Sequence, residues 1–188
     1  MPKKTSGVAN LGRWLLTIGL ALIFAFVGGA AQAAEGWKQE GLPGVFRCEI
    51  PKDWGSLTPV LPTGDICKLF GNGRQLIRVE HQGYQGPGPK TPREYLAQFE
   101  LAADRRFVPG ASLEVSGRPA QRWSRRYEVR PRSHRGPKPE EFLYNEIVFL
   151  EGSNGFWALR FSSSSVVYSK EPPGLAIWGH FLKSFQLL

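Results

Sequence analysis

The chain has 188 residues, 41% of them hydrophobic and 12% aromatic, with a formal net charge of +8. That apolar content excludes wholesale disorder. Once an export leader is set aside, about 155 residues remain, enough for one domain that buries roughly two-thirds of its unfolded surface and too few for two.

The charge is local. Three basic residues, Lys3, Lys4 and Arg13, precede an apolar run from Trp14 to Val27, and small residues follow it. Ala31-Gln32-Ala33 fits the A-x-A pattern of signal peptidase, so residues 1–33 read as a signal peptide and 34–188 as one domain. The rival reading is an uncleaved anchor, since the run with its small-residue tail approaches the roughly 20 residues of a spanning helix. Both readings send the remainder outward, to a periplasmic or extracellular location, because the basic leader stays on the cytoplasmic side. With cleavage, no stable membrane span remains. Eight basic residues and one acid (Glu128) lie between Arg118 and Lys138, a net of +7, which leaves the rest of the mature chain slightly acidic.

In chain order, "GVFRCEIPKDWG" alternates with the period of a half-buried strand and ends at Pro51, with Phe46, Cys48 and Ile50 inward. Gly71-Asn72-Gly73 predicts a hairpin between strands Ile66–Phe70 and Gln75–His81. Thr91, Pro92 and Glu94 form the start signal of a helix, whose apolar stripe Tyr95, Leu96, Phe99, Ala102, Ala103 and Phe107 runs to a stop at Pro109-Gly110. An extended stretch follows, with Trp123, Tyr127 and Val129 on one face and Arg122, Ser124, Arg126, Glu128 and Arg130 on the other. Arg125 then stands on the aromatic face. Gly152–Gly155 marks a hairpin between Phe142–Glu151 and Phe156–Ser162, both nearly continuously apolar, as strands covered on both faces are. A last helix carries Leu175, Trp178, Leu182 and Phe185. The order is three strands, helix, about four antiparallel strands, helix.

The only two cysteines, Cys48 and Cys67, fall in the exported part, where thiols are oxidised, and read as a structural disulfide. Closing that loop of about 20 residues contributes on the order of 3 kcal/mol in the chain-entropy view. The sharper alternatives, a metal pair or a catalytic thiol, have no support: there is no C-x-x-C spacing, and the three histidines, His81, His134 and His180, are scattered.

The spaced pattern resembles a known group, the superfamily of the PsbP extrinsic photosystem protein, the Ran-binding nuclear import factor and the bacterial DcrB-like envelope proteins. The residues that carry the likeness are "VFRCEIPKDW", "TPREYLAQF", "GFWALRFSSSS" and the closing "GLAIWGHFLKSF". The resemblance implies an α+β fold, a central antiparallel sheet of about six to seven strands with a helix on each face, an α/β/α sandwich. It also implies a binding or assembly role without catalysis, since most members are non-enzymatic and bind unrelated partners; fold does not carry function further. No ligand residue transfers from it.

No reaction is legible. The serines 162–165 lack a G-x-S-x-G elbow and read as a turn, His81 and His180 read as histidines satisfied beside the core, and "GYQGPGPK" lacks the G-K-[ST] ending of a phosphate loop. No catalytic residue, metal ligand or cofactor is assigned. If Val129 pairs with Phe142, Arg125 falls opposite Glu146, and an ion pair is the cheapest way to hold two charges in apolar company; capture of an anion in a pocket is the alternative. The basic tip Arg130, Arg132, His134, Arg135 and Lys138 admits three readings: a solvated end that blunts an edge, a patch that docks on anionic lipid, or recognition of an acidic envelope protein through bidentate arginines. Nucleic acid is disfavoured by export and by the absence of interleaved aromatics in the tip. The reading at this level is an exported binding or assembly factor of the cell envelope. A small envelope enzyme, or a carrier of an apolar ligand in a sheet–helix cleft, is the rival.

Overall fold

A computed structural model describes residues 36–59, 65–100, 105–129 and 141–188. The chain opens with β1 (Trp37–Leu42), β2 (Phe46–Pro51) and β3 (Gly55–Leu57), then forms the hairpin of β4 (Cys67–Gly71) and β5 (Gln75–Gly83). The helix α1 (Pro92–Ala97) and two short strands, β6 (Val108–Pro109) and β7 (Leu113–Val115), follow. Three long strands come next, β8 (Arg118–Val129), β9 (Glu141–Gly152) and β10 (Gly155–Ser165), and then α2 (Leu175–Ser184) and β11 (Gln186–Leu187). The class is mixed α+β, dominated by sheet.

The strands divide between two antiparallel sheets rather than one sheet of six to seven. The larger has eight strands in the order β3-β4-β5-β10-β9-β8-β6, with β7 also on β8. The smaller runs β1-β2-β11. The alternation around Phe46, Cys48 and Ile50 is real, all three being buried, but periodicity says only that one face is covered. It does not say which sheet the strand joins.

Residues of β9 and β10 alternate between two apolar clusters because successive side chains point to opposite faces. Val148, Leu150, Leu159 and Phe161 pack with Phe46, Cys48 and Ile50 of the small sheet and with Trp178, Phe181 and Leu182 of α2. Ile147, Phe149, Phe156 and Ala158 pack with Tyr95 and Leu96 of α1 and with Phe107. Supply of apolar side chains to both clusters explains the unbroken hydrophobic runs of these strands.

The start of α1 follows its sequence signal. Thr91 Oγ1 accepts from Glu94 N at 3.2 Å, and the Glu94 carboxylate reaches back to Lys90 N at 2.7 Å. The helix is shorter than its stripe suggests, ending at the cap residue Gln98. Phe107 is buried from beyond the helix, just before the β6 bridge to Trp123 and Ser124.

Both cysteines are buried free thiols, not a disulfide. Cys48 sits in the cluster beneath Val79 and Ile77, whereas Cys67 is registered opposite Glu80, the neighbour of Val79 that points to the other face of the sheet. The large sheet stands between them. Burial pushes the Cys48 thiol up to about 12, with Glu40 adding to the effect.

Candidate functional site

The β8–β9 register corrects the expected ion pair. Val129 lies opposite Glu141, so Arg125 meets Asn145 and Glu146 meets Ser124. A slip of one residue moves a side chain to the opposite face. Glu146 therefore enters the cluster under α2, where its buried carboxylate accepts from Trp178 Nε1 at 2.7 Å and Tyr144 Oη at 2.5 Å, with Arg122 Nε at 3.1 Å. Tyr144 is held above the usual phenol range by burial first, then by its bond to that carboxylate.

Arg125 does stand on the aromatic face, with its guanidinium carbon 4.4 Å from the centre of the Phe107 ring and 5.0 Å from that of Tyr127. Its Nη1 donates to Phe99 O at 2.5 Å and to Arg105 O at 3.1 Å, while Nε is buried without an acceptor. Burial, with Arg160 and Arg105 nearby, lowers its pKa. Arg160, one row along the same face, lies opposite Arg78 and Ile147 and stacks 4.8 Å over Phe99, again with a buried, unpartnered Nε. The carboxylates of this face are engaged elsewhere: Glu80 takes Arg78 at 2.5 Å and the Tyr95 hydroxyl, and Glu100 takes Phe107 N at 3.0 Å and Arg93 at 3.5 Å. Among the described residues, no carboxylate lies within ion-pair distance of Arg125 or Arg160.

The serine run is strand, not turn, and its alternation builds two different surfaces. Ser162 and Ser164 join Leu76, Tyr127, Leu143 and Asn145 in lining an open groove of about 460 Å³. Ser163 and Ser165 face the other way and hold the loop that leaves β10. Ser163 Oγ donates to Pro173 O at 2.8 Å, and Ser165 Oγ both donates to Val167 O at 2.8 Å and accepts from Val167 N at 3.1 Å. Arg126 completes the attachment by donating to Ser169 O at 2.8 Å and Lys170 O at 2.9 Å while stacking over Tyr168. The loop held in this way presents Val166, Val167 and Tyr168, which are 56%, 67% and 59% exposed. Three adjacent exposed apolar residues are the signal that sequence reading passed over.

The tip residues Arg130, Arg132, His134, Arg135 and Lys138 lie outside the described residues. The strands that bound them are described: Val129 pairs with Glu141, and Phe142 pairs with both Glu128 and Ser165. Of the histidines, His81 packs against Trp157 with ring centres 4.8 Å apart, and burial lowers its pKa. His180 stacks on Trp37 at 3.7 Å and meets Glu49 at 2.7 Å. Among the described residues, no three His, Cys, Asp or Glu side chains gather as a metal set, and no helix is long and apolar enough to cross a membrane.

No protein-family model matches the chain, and no curated protein matches its sequence. Solved structures of distant sequence are similar in part. One, from Bacteroides thetaiotaomicron, has 10% identity and a TM-score of 0.47, covering 81% of this chain and 49% of its own, so this chain spans about half its length. Another is LpqN of Mycobacterium tuberculosis, described as involved in cell envelope biogenesis, with 14% identity and a TM-score of 0.43, covering 80% of this chain and 90% of its own.

Proposed function

We propose that this is an exported, non-enzymatic binding factor of the cell envelope that docks on an anionic lipid surface through one end of its large sheet. The supporting observation is the loop Val166–Tyr168, exposed and apolar yet tied down by Ser163, Ser165 and Arg126. A monomeric surface has little reason to display such a run unless something covers it, and a tyrosine is suited to the boundary between acyl chain and water. The sequence adds charge complementarity, since Arg130, Arg132, Arg135 and Lys138 lie between the two strands that end beside this loop. Membership of the PsbP and DcrB-like group, with a helix on each face of the sheet, is part of the same reading and rests on element order and on the two clusters that the helices join.

Vesicle sedimentation tests the proposal. The mature protein should bind phosphatidylglycerol vesicles, not phosphatidylcholine ones, and binding should weaken sharply between low and physiological salt. Changing Arg130, Arg132, Arg135 and Lys138 to serine removes about 1 kcal/mol each at low salt, so affinity should fall by a factor on the order of 1,000. Val166→Ser with Val167→Ser should weaken binding by about tenfold, given roughly 1–2 kcal/mol of lost apolar burial. Equal binding by all three proteins would overturn the reading. Retention on immobilised polyglutamate without vesicle binding would replace the lipid with an acidic protein.

A further inference from the structure

A loop that carries Val166, Val167 and Tyr168 through water gains by folding those side chains inward, yet all three stand exposed. Two features oppose the collapse. The cleft between loop and sheet, lined by Phe142, Tyr144, Ser163, Val167 and Pro172 among others, has a volume of about 10 Å³, room for no more than one water. A turned-in valine does not fit there. The backbone is also held at both ends, by Ser165 Oγ on Val167 N and O and by Ser163 Oγ on Pro173 O.

Arg126 supplies the hold between them. Its Nη1 and Nη2 donate to successive carbonyls, Ser169 O and Lys170 O, directly after the apolar run. The same guanidinium lies over two rings, 5.4 Å from the centre of Tyr168 in the loop and 5.8 Å from that of Tyr144 in β9. Phe142 adds an edge contact to Tyr168 at 5.4 Å. Reaching two carbonyls while stacking is a property of the planar fork, and a lysine ammonium keeps the charge but loses the plane. We infer that Arg126 is the positioning residue of the docking surface, which sets Val166–Tyr168 outward while the protein is still in water, so that binding does not have to order the loop. The inference rests on the lipid-docking reading above.

Two measurements on the mature protein and its Arg126→Lys and Arg126→Gln variants separate positioning from charge. A nitroxide attached through Val167→Cys reports loop mobility in water, the native thiols being buried. Both variants should loosen the label, and both should bind phosphatidylglycerol vesicles about tenfold more weakly. The salt dependence of binding should stay that of the parent, because the fork is directed at loop carbonyls. These bonds lie at the surface, so the variants should fold, and circular dichroism checks that they do. Ser165→Ala, which releases Val167 without touching Arg126, should loosen the label and weaken binding in the same direction. An unchanged label would overturn the inference, as would a loosened label with unchanged affinity. Parent-like binding by Arg126→Lys, with a loss and a shallower salt dependence only in Arg126→Gln, would make Arg126 a head-group contact and overturn positioning. If the parent itself fails to bind vesicles, the docking reading falls, and the label alone then decides whether Arg126 sets the loop.

Discussion

Replacing Glu146 with leucine tests the register of the large sheet and the energetics of a buried acid network. The carboxylate is 4% exposed and holds the indole N–H of Trp178, itself 2% exposed. Stranding that donor, together with the Tyr144 hydroxyl, should cost about 3–5 kcal/mol. Arg122 adds little, because 37% of its side chain is exposed and it can turn to water. Leucine returns roughly 1 kcal/mol of apolar burial. The net loss of about 3 kcal/mol corresponds to a fall in Tm of about 6–12 °C for a domain of this size. Thermal unfolding followed by circular dichroism and by tryptophan emission measures it. A double-mutant cycle then localises it: Glu146→Leu should couple to Trp178→Phe by more than about 1 kcal/mol, yet add to Arg125→Met within about 0.5 kcal/mol. Coupling to Arg125 of the size expected for Trp178 would refute the register.

Other outcomes follow from the same geometry. Thiol titration in denaturant without reductant should find both Cys48 and Cys67 reactive, and in the native protein Cys48 should stay silent, being buried and pushed up to about 12. Gly155→Ala should destabilise by about 2–4 kcal/mol, because its new Cβ would stand 2.0 Å from Gln82 O. Gly179→Ala, inside α2 with nothing within 4 Å of the added carbon, should instead stabilise by about 0.5–1 kcal/mol. His81 has a folded pKa below 6.5, so the stability tied to its neutral form is present above that value and is lost as pH falls through the lower folded one. His81→Gln should flatten that acid-side slope in a Tm-against-pH series.

Local signals were legible wherever the determinant is local. The Thr91 cap, the Gly71–Gly73 and Gly152–Gly155 hairpins and the last helix all appear within a residue or two of their expected places. Non-local choices were not legible. A strand's periodicity carries no address, so the move of Phe46–Ile50 into a second sheet with β11 could not be read, nor could the separation of Cys48 from Cys67 by the large sheet. The Arg125–Glu146 expectation failed by one residue of register, and one residue is enough to change faces. For the site, the aromatic company of Arg125 was visible from β8 alone. The groove needed β5, β9 and β10 side by side, and the Val166–Tyr168 loop needed knowledge that the serines before it were strand.

The placement of β11 has a consequence for timing. β2 is the middle strand of its sheet, flanked by β1 from its own neighbourhood and by β11 from about 140 residues later, where Arg47 meets the Gln186 side chain. Phe46, on the inner side of β2, packs against Phe185, the residue immediately before β11. A chain threaded through a membrane pore from its amino end presents β1 and β2 first and must hold that half-sheet open, with Phe46 uncovered, until its final turn of helix arrives. Long-range pairing of this kind slows folding, so on the export route proposed above this hairpin would stand uncovered until the last strand follows.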